Sequence, residues 1–83
     1  MIEHTIEDSV KKLLKGFTTS VFLNDVYPSL FELVCNINNW EFNIDEDYNG
    51  WEVDWSADII TDSGTIVING SMYYGSAFLE LRN

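Results

Sequence analysis

The chain has 83 residues and a mass of 9.6 kDa, which is enough for one small domain and too little for two separate cores. Fourteen Asp and Glu residues against four Lys and Arg residues give a formal net charge of −10, while a hydrophobic content of 46% is typical of a folded chain. The negative charge argues against direct binding to nucleic acid or to anionic lipid, since both attract positive charge.

Two helices are predicted in the first half of the chain. The first covers about residues 5–16, where Thr5 can cap the first turn and Gly16 is a suitable C-cap. The second covers about residues 25–38, with Pro28 tolerated in its first turn. Apolar residues recur at helical spacing along both segments and are expected in the core: Ile6, Val10, Leu13, Leu14, Phe17, Val26, Leu30, Leu33, Val34 and Ile37.

Beyond Asn39 the apolar pattern alternates, which predicts strands over about 40–48, 51–60, 65–73 and 76–82. Glycine-containing turns separate these segments, as in consecutive antiparallel hairpins. The predicted fold is therefore α+β, a single domain over residues 1–83. Its two N-terminal helices pack on one face of a four-stranded antiparallel meander, in the order ααββββ and in two layers.

The dipeptide Asn49-Gly50 predicts a two-residue hairpin loop, which places Tyr48 opposite Trp51. Counting back from this loop pairs Asp47 with Glu52, Asp45 with Asp54 and Glu41 with Asp58. This register puts apolar residues on one face of the hairpin: Trp40, Phe42, Ile44, Trp51, Val53, Trp55, Ala57 and Ile59. The other face carries six acids: Glu41, Asp45, Asp47, Glu52, Asp54 and Asp58. Like charges directly opposite one another destabilise a sheet, so their concentration here points to a function.

No Lys or Arg occurs between Lys15 and Arg82 to neutralise these acids. We predict that the six acids, with Tyr73 and Phe78 as aromatic neighbours, bind a basic nucleic-acid-binding protein of a bacterial host. The carboxylates would present phosphate-like charge to the groove that normally holds nucleic acid, and so inhibit the enzyme. At the level of class, the chain resembles small acidic phage-encoded inhibitors of restriction, CRISPR or DNA-repair enzymes. That resemblance implies a phage anti-defence protein acting in the host cytoplasm.

Several alternatives share the same composition. An immunity protein or antitoxin that neutralises a basic nuclease toxin would look identical, and an acidic surface can also serve solubility alone. The more neutral half of the sheet could support a homodimer. Residues 45–50 match the first half of an EF-hand calcium loop, but Ser56 occupies the position where that loop needs a bidentate Glu.

Catalysis and cofactor binding are not expected. His4 is the single histidine, and we expect it in a mobile N-terminus. Cys35 has no partner for a disulfide and no neighbouring base, and it is expected to act as a small buried hydrophobe. The first four residues, Met1 to His4, lack the basic start and apolar stretch typical of a secretory signal, and no run of eighteen apolar residues occurs. A cytoplasmic location without membrane binding is therefore expected.

Overall fold

The structure is a computed structural model that describes residues 2–50 and 52–82, with Asn49 and Glu52 described by their backbone alone. The elements in chain order are α1 (Ile2–Leu14), β1 (Ser20–Asn24), α2 (Pro28–Asn38), β2 (Glu41–Asn49), β3 (Glu52–Thr61), β4 (Gly64–Ser71) and β5 (Ser76–Arg82). The five strands form one antiparallel sheet in the order β1-β5-β4-β3-β2. The two-layer α+β prediction is confirmed, but the prediction of four strands in the order ααββββ is wrong.

The strand that the sequence prediction missed is β1, which lies between the two helices and pairs with β5 at one edge of the sheet. Its sequence, Ser-Val-Phe-Leu-Asn, alternates in the manner of a strand: Val21 and Leu23 turn toward the core, while Phe22 is 59% exposed on the other side. Five residues between two helices are too short for this alternation to stand out from helical spacing.

Both helices pack on the same face of the sheet, with α1 against β1, β4 and β5 and α2 beside β2. Phe31 of α2 meets Trp55 of β3 with ring centroids 5.6 Å apart, and this contact joins the helical layer to the sheet. Fully buried aliphatic residues belong to the same hydrophobic core: Ile6, Val10, Leu13, Ile59, Ile66, Ile68 and Leu79. The burial of Ile66, Ile68 and Leu79 confirms the predicted alternation of buried and exposed residues in the middle of the last two strands.

Helix α1 begins at Ile2 rather than near Thr5, so Thr5 lies inside the helix instead of capping it, and His4 is an exposed helical residue. The helix ends as predicted at a glycine: Gly16 has φ +79, its N–H donates to Leu13, and the N–H of Phe17 donates to Lys12. These two bonds form a Schellman motif, which requires the left-handed conformation at Gly16. Phe17 lies beyond this cap and is 76% exposed, so its predicted place in the core is wrong.

Helix α2 begins at Pro28 rather than near residue 25. Its buried side consists of Phe31, Val34 and Cys35, while Leu33 is 45% exposed and Ile37 is 66% exposed. The sequence prediction placed Leu33 and Ile37 in the core, because their spacing fits a helical face as well as the spacing of the residues that are buried.

The connection between β4 and β5 is also longer than predicted. The pairing of Ser71 with Ser76 leaves a loop over residues 72–75, so Tyr73 does not belong to the strand predicted over 65–73. The Tyr73 ring, 58% exposed, instead packs edge-on against Tyr74 with centroids 4.9 Å apart.

Candidate protein-binding face

The β2–β3 hairpin positions the acidic side chains, and its register differs from the predicted one by two residues. Asp47 pairs with Asp54 and Asn49 with Glu52, so Gly50, with φ +66, begins the turn instead of ending it. A shift of two residues preserves the alternation between faces, so the acidic and apolar sides were assigned correctly. The predicted pairing with Trp51 lies outside the described residues, and Tyr48 faces Val53.

One face of the sheet carries no helix among the described residues, and we call it the open face. On β2 and β3 it presents Glu41, Asn43, Asp45, Asp47, Asp54, Ser56, Asp58 and Ile60. On β4, β5 and β1 it presents Thr65, Val67, Asn69, Ser71, Ser76, Phe78, Glu80, Arg82, Ser20, Phe22 and Asn24. Acids thus gather on the half formed by β2 and β3, beside a more neutral half.

Most of the predicted site residues come together on this face. Glu41, Asp45, Asp47, Asp54 and Asp58 are all exposed on it, and Phe78 lies on its neutral half with 38% of its surface exposed. The side chain of the sixth predicted acid, Glu52, lies outside the description. Tyr73 is not on this face, because it sits in the loop at the end of β4.

The observed register staggers the carboxylates. Only Asp47 and Asp54 are directly opposite each other. Asp45 faces Ser56 and Asp58 faces Asn43. The three predicted acid pairs, Asp47 with Glu52, Asp45 with Asp54 and Glu41 with Asp58, are wrong, so mutual repulsion is weaker than three directly opposed pairs would produce. Cross-strand diagonal neighbours lie about 7–8 Å apart, which leaves space for a cation between carboxylates.

Cations of the same chain do not neutralise this acidic half. The single ion pair among the described residues is on α1, where Lys11 contacts Glu7 at 2.6 Å. Arg82 lies on the open face but in β5, opposite Thr65 and two strands away from the acids of β3. Within the acidic half, Asn43 Nδ2 donates a 3.0 Å hydrogen bond to Glu41 Oε2.

The neutral half contains an aromatic pair that includes a residue missed by the sequence prediction. Phe22 of β1 is the direct cross-strand partner of Phe78 of β5. With 59% and 38% of their surfaces exposed, both rings are accessible from solvent. The alternation of Val21, Phe22 and Leu23 was the signal that could have placed Phe22 on this face.

Three adjoining depressions cross the open face because short side chains occupy its middle. The first, of about 370 Å³, extends from Phe22 and Phe78 to Asp54. The second, of about 480 Å³, shares Asp54 with the first and includes Asp45 and Asp47. The third, of about 280 Å³, shares Asp45 with the second and reaches Asp58. Each depression therefore contains at least one carboxylate.

The opposite face of the hairpin is only partly covered by the helices. Ile44 is 42% exposed and Tyr48 is 70% exposed, so the predicted apolar floor does not continue to the hairpin tip. Glu46, on this face, accepts a 2.8 Å hydrogen bond from the Tyr48 hydroxyl, and that bond raises the pKa of Tyr48.

The other chemistry-bearing residues do not assemble a second site. Burial raises the pKa of the Cys35 thiol to about 11, which disfavours the reactive thiolate. The EF-hand-like letters at 45–49 belong to strand β2 and are followed by another strand instead of a helix. Within residues 2–50 and 52–82 there is no cluster of three metal-ligating side chains. No helix in the described part of the chain is long and apolar enough to cross a membrane.

Comparison of this chain with protein-family models, with curated proteins and with solved structures found no match.

Proposed function

We propose that this protein is a small acidic inhibitor that uses the open face to occupy the phosphate-binding groove of a nucleic-acid-binding enzyme. The observation that supports this function most directly is the set of five exposed carboxylates on β2 and β3, which lack cationic partners among the described residues. The proposed target is a bacterial protein and the proposed biological role is that of a phage anti-defence protein.

The arrangement of the carboxylates suits a surface that grips phosphates. Alternate residues of a strand are about 6.6 Å apart, and directly opposed residues of neighbouring strands are about 5 Å apart. Asp45 and Asp47 on β2, with Asp54 and Asp58 on β3, therefore form a two-dimensional array of negative charge. A groove that spaces its Lys and Arg residues for successive phosphates meets comparable charge spacing on this face.

The same array favours rapid association. Charge of one sign on one face attracts a basic groove over several ångströms, and exposed charges act within a screening length of about 8 Å at physiological ionic strength. The acids also repel nucleic acid, so the protein and the nucleic acid compete for the groove instead of binding together.

The first experiment compares two quadruple variants as baits in a nuclease-treated bacterial lysate. The test variant neutralises four acids of the open face, namely Asp45→Asn, Asp47→Asn, Asp54→Asn and Asp58→Asn. The control neutralises four acids elsewhere, namely Asp8→Asn, Asp25→Asn, Glu32→Gln and Asp62→Asn. Both variants have the same net charge, so a basic protein retained by the control but lost by the test variant binds the open face specifically.

The retained protein is then tested for competition with labelled DNA or RNA. The proposed function requires that the wild type displaces the nucleic acid and that the displacement weakens steeply with added salt. A complex in which the nucleic acid remains bound would contradict groove occupation and favour the immunity-protein alternative, which needs contact with an exosite only.

A further inference from the structure

We propose that the depression between the Phe22–Phe78 pair and Asp54 receives an arginine side chain of the protein partner. This inference rests on the proposed function, because it specifies which basic residue of the partner enters one part of the open face. It concerns the boundary between the acidic and neutral halves, where one aromatic wall and one carboxylate meet.

The two ends of this depression differ in chemistry. Phe22 and Phe78 are adjacent on β1 and β5, and both rings are accessible. Asp54 lies two strands away on β3, in the next row of the sheet, which also contains Ser71 and Ser76. Ideal sheet spacings put the Cα atoms of Phe78 and Asp54 about 12 Å apart. A guanidinium group that enters this gap can turn its face toward the rings and its N–H groups toward the carboxylate.

Arginine fits this pair of groups better than lysine does. A guanidinium group is planar and weakly hydrated, so it stacks on an aromatic ring and can donate two parallel hydrogen bonds to a carboxylate. An ammonium group is compact and strongly hydrated, and it loses more on leaving water. The aromatic residue that lines the second depression is Trp55, which is only 3% exposed, and the lining of the third contains no aromatic ring. Both depressions therefore accept either cation.

The chain's own arginine does not occupy this place. Arg82 is four residues beyond Phe78 along β5, which corresponds to about 13 Å in an extended strand. Arg82 also lies opposite Thr65, away from the row that contains Asp54. The depression is therefore open to a side chain from another protein.

The test uses two synthetic peptides of equal charge, eight arginines and eight lysines, titrated into the full chain by calorimetry. We expect the arginine peptide to bind about 2- to 5-fold more tightly, which is the effect of a cation–aromatic contact at an exposed site. The double variant F22T/F78T should lose this preference and keep its affinity for the lysine peptide. The variant D54N should weaken arginine binding more than D8N, its charge-matched control on α1.

A second measurement needs no variant and so does not depend on how well a variant folds. In amide chemical-shift mapping of the wild type, the arginine peptide should shift Asn69, Ser71, Ser76 and Phe78 more than the lysine peptide does. Equal affinities for the two peptides, or a preference that survives in F22T/F78T, would overturn the arginine site and leave the proposed function standing. Failure of both peptides to bind would overturn both.

Discussion

The contact between Gly70 and Trp55 gives a stability prediction whose sign depends on the structure. Gly70 is the last residue but one of β4 and pairs with Trp55 of β3. A Cβ atom on Gly70 would overlap the indole atoms Cε2, Nε1 and Cζ2. The indole cannot easily move aside, because Trp55 is 3% exposed and packs against Phe31. The variant Gly70→Ala should therefore be destabilised by overpacking.

The magnitude follows from two opposing effects. Replacing glycine by alanine within a strand removes conformational freedom from the unfolded chain, and without a clash it would stabilise the fold by about 0.4–1 kcal/mol. Overpacking in a core typically costs about 1–3 kcal/mol. We expect a net loss of about 1–2 kcal/mol, which lowers the melting temperature of a domain of this size by about 4–16 °C.

Thermal unfolding of a double-mutant cycle tests this prediction. Trp55→Leu removes the three overlapping atoms, so Gly70→Ala should be neutral or stabilising in that background. Asn69→Ala, at the exposed neighbouring position, is the control and should have little effect. An unchanged or raised melting temperature for Gly70→Ala in the wild-type background would refute the reasoning.

Three further changes test other parts of the fold. Asp54→Lys converts the opposed Asp47–Asp54 pair into an attractive one and should raise the free energy of unfolding, measured in urea, by about 0.5–1 kcal/mol; an unchanged value in low salt would contradict this. Burial raises the pKa of Cys35 from 9.0 to about 11, so the unfolded chain loses its proton first and stability should fall as pH rises through that window. The variant Cys35→Ala should lack this loss of stability at high pH, and a pH dependence identical to that of the wild type would contradict the prediction. Gly16→Ala forces a side chain into the left-handed cap at φ +79 and should cost about 1 kcal/mol in a urea melt; an unchanged midpoint would argue against the Schellman cap.

The alternation of β2 and β3 was enough to predict which face each acid occupies, because a strand has a fixed period of two residues. It was not enough to predict the register. Both Asn49-Gly50 and the observed turn starting at Gly50 keep the same residues on each face, so the hydrophobic pattern does not distinguish them. Five of the six predicted acids were therefore found together on the open face, whereas the three predicted acid pairs, Asp47 with Glu52, Asp45 with Asp54 and Glu41 with Asp58, were wrong.

The missed strand β1 has a different cause. Its place at the sheet edge depends on antiparallel pairing with β5, more than fifty residues later in the chain, and no local pattern reports that contact. Because β1 was not predicted, Phe22 could not be placed beside Phe78, and the aromatic end of the first depression could not be predicted from the sequence. Tyr73 was misplaced for a related reason, because the four-residue loop 72–75 was interpreted as a shorter turn.

The central claim is that the carboxylates of the open face occupy a groove that otherwise holds nucleic acid. The most direct measurement is displacement of a fluorescent oligonucleotide from the protein captured by the wild-type bait, followed by anisotropy. We predict complete displacement by the wild type and by the Asp8, Asp25, Glu32 and Asp62 control variant. The variant neutralised at Asp45, Asp47, Asp54 and Asp58 should fail to displace it, and equal displacement by both variants would contradict the claim.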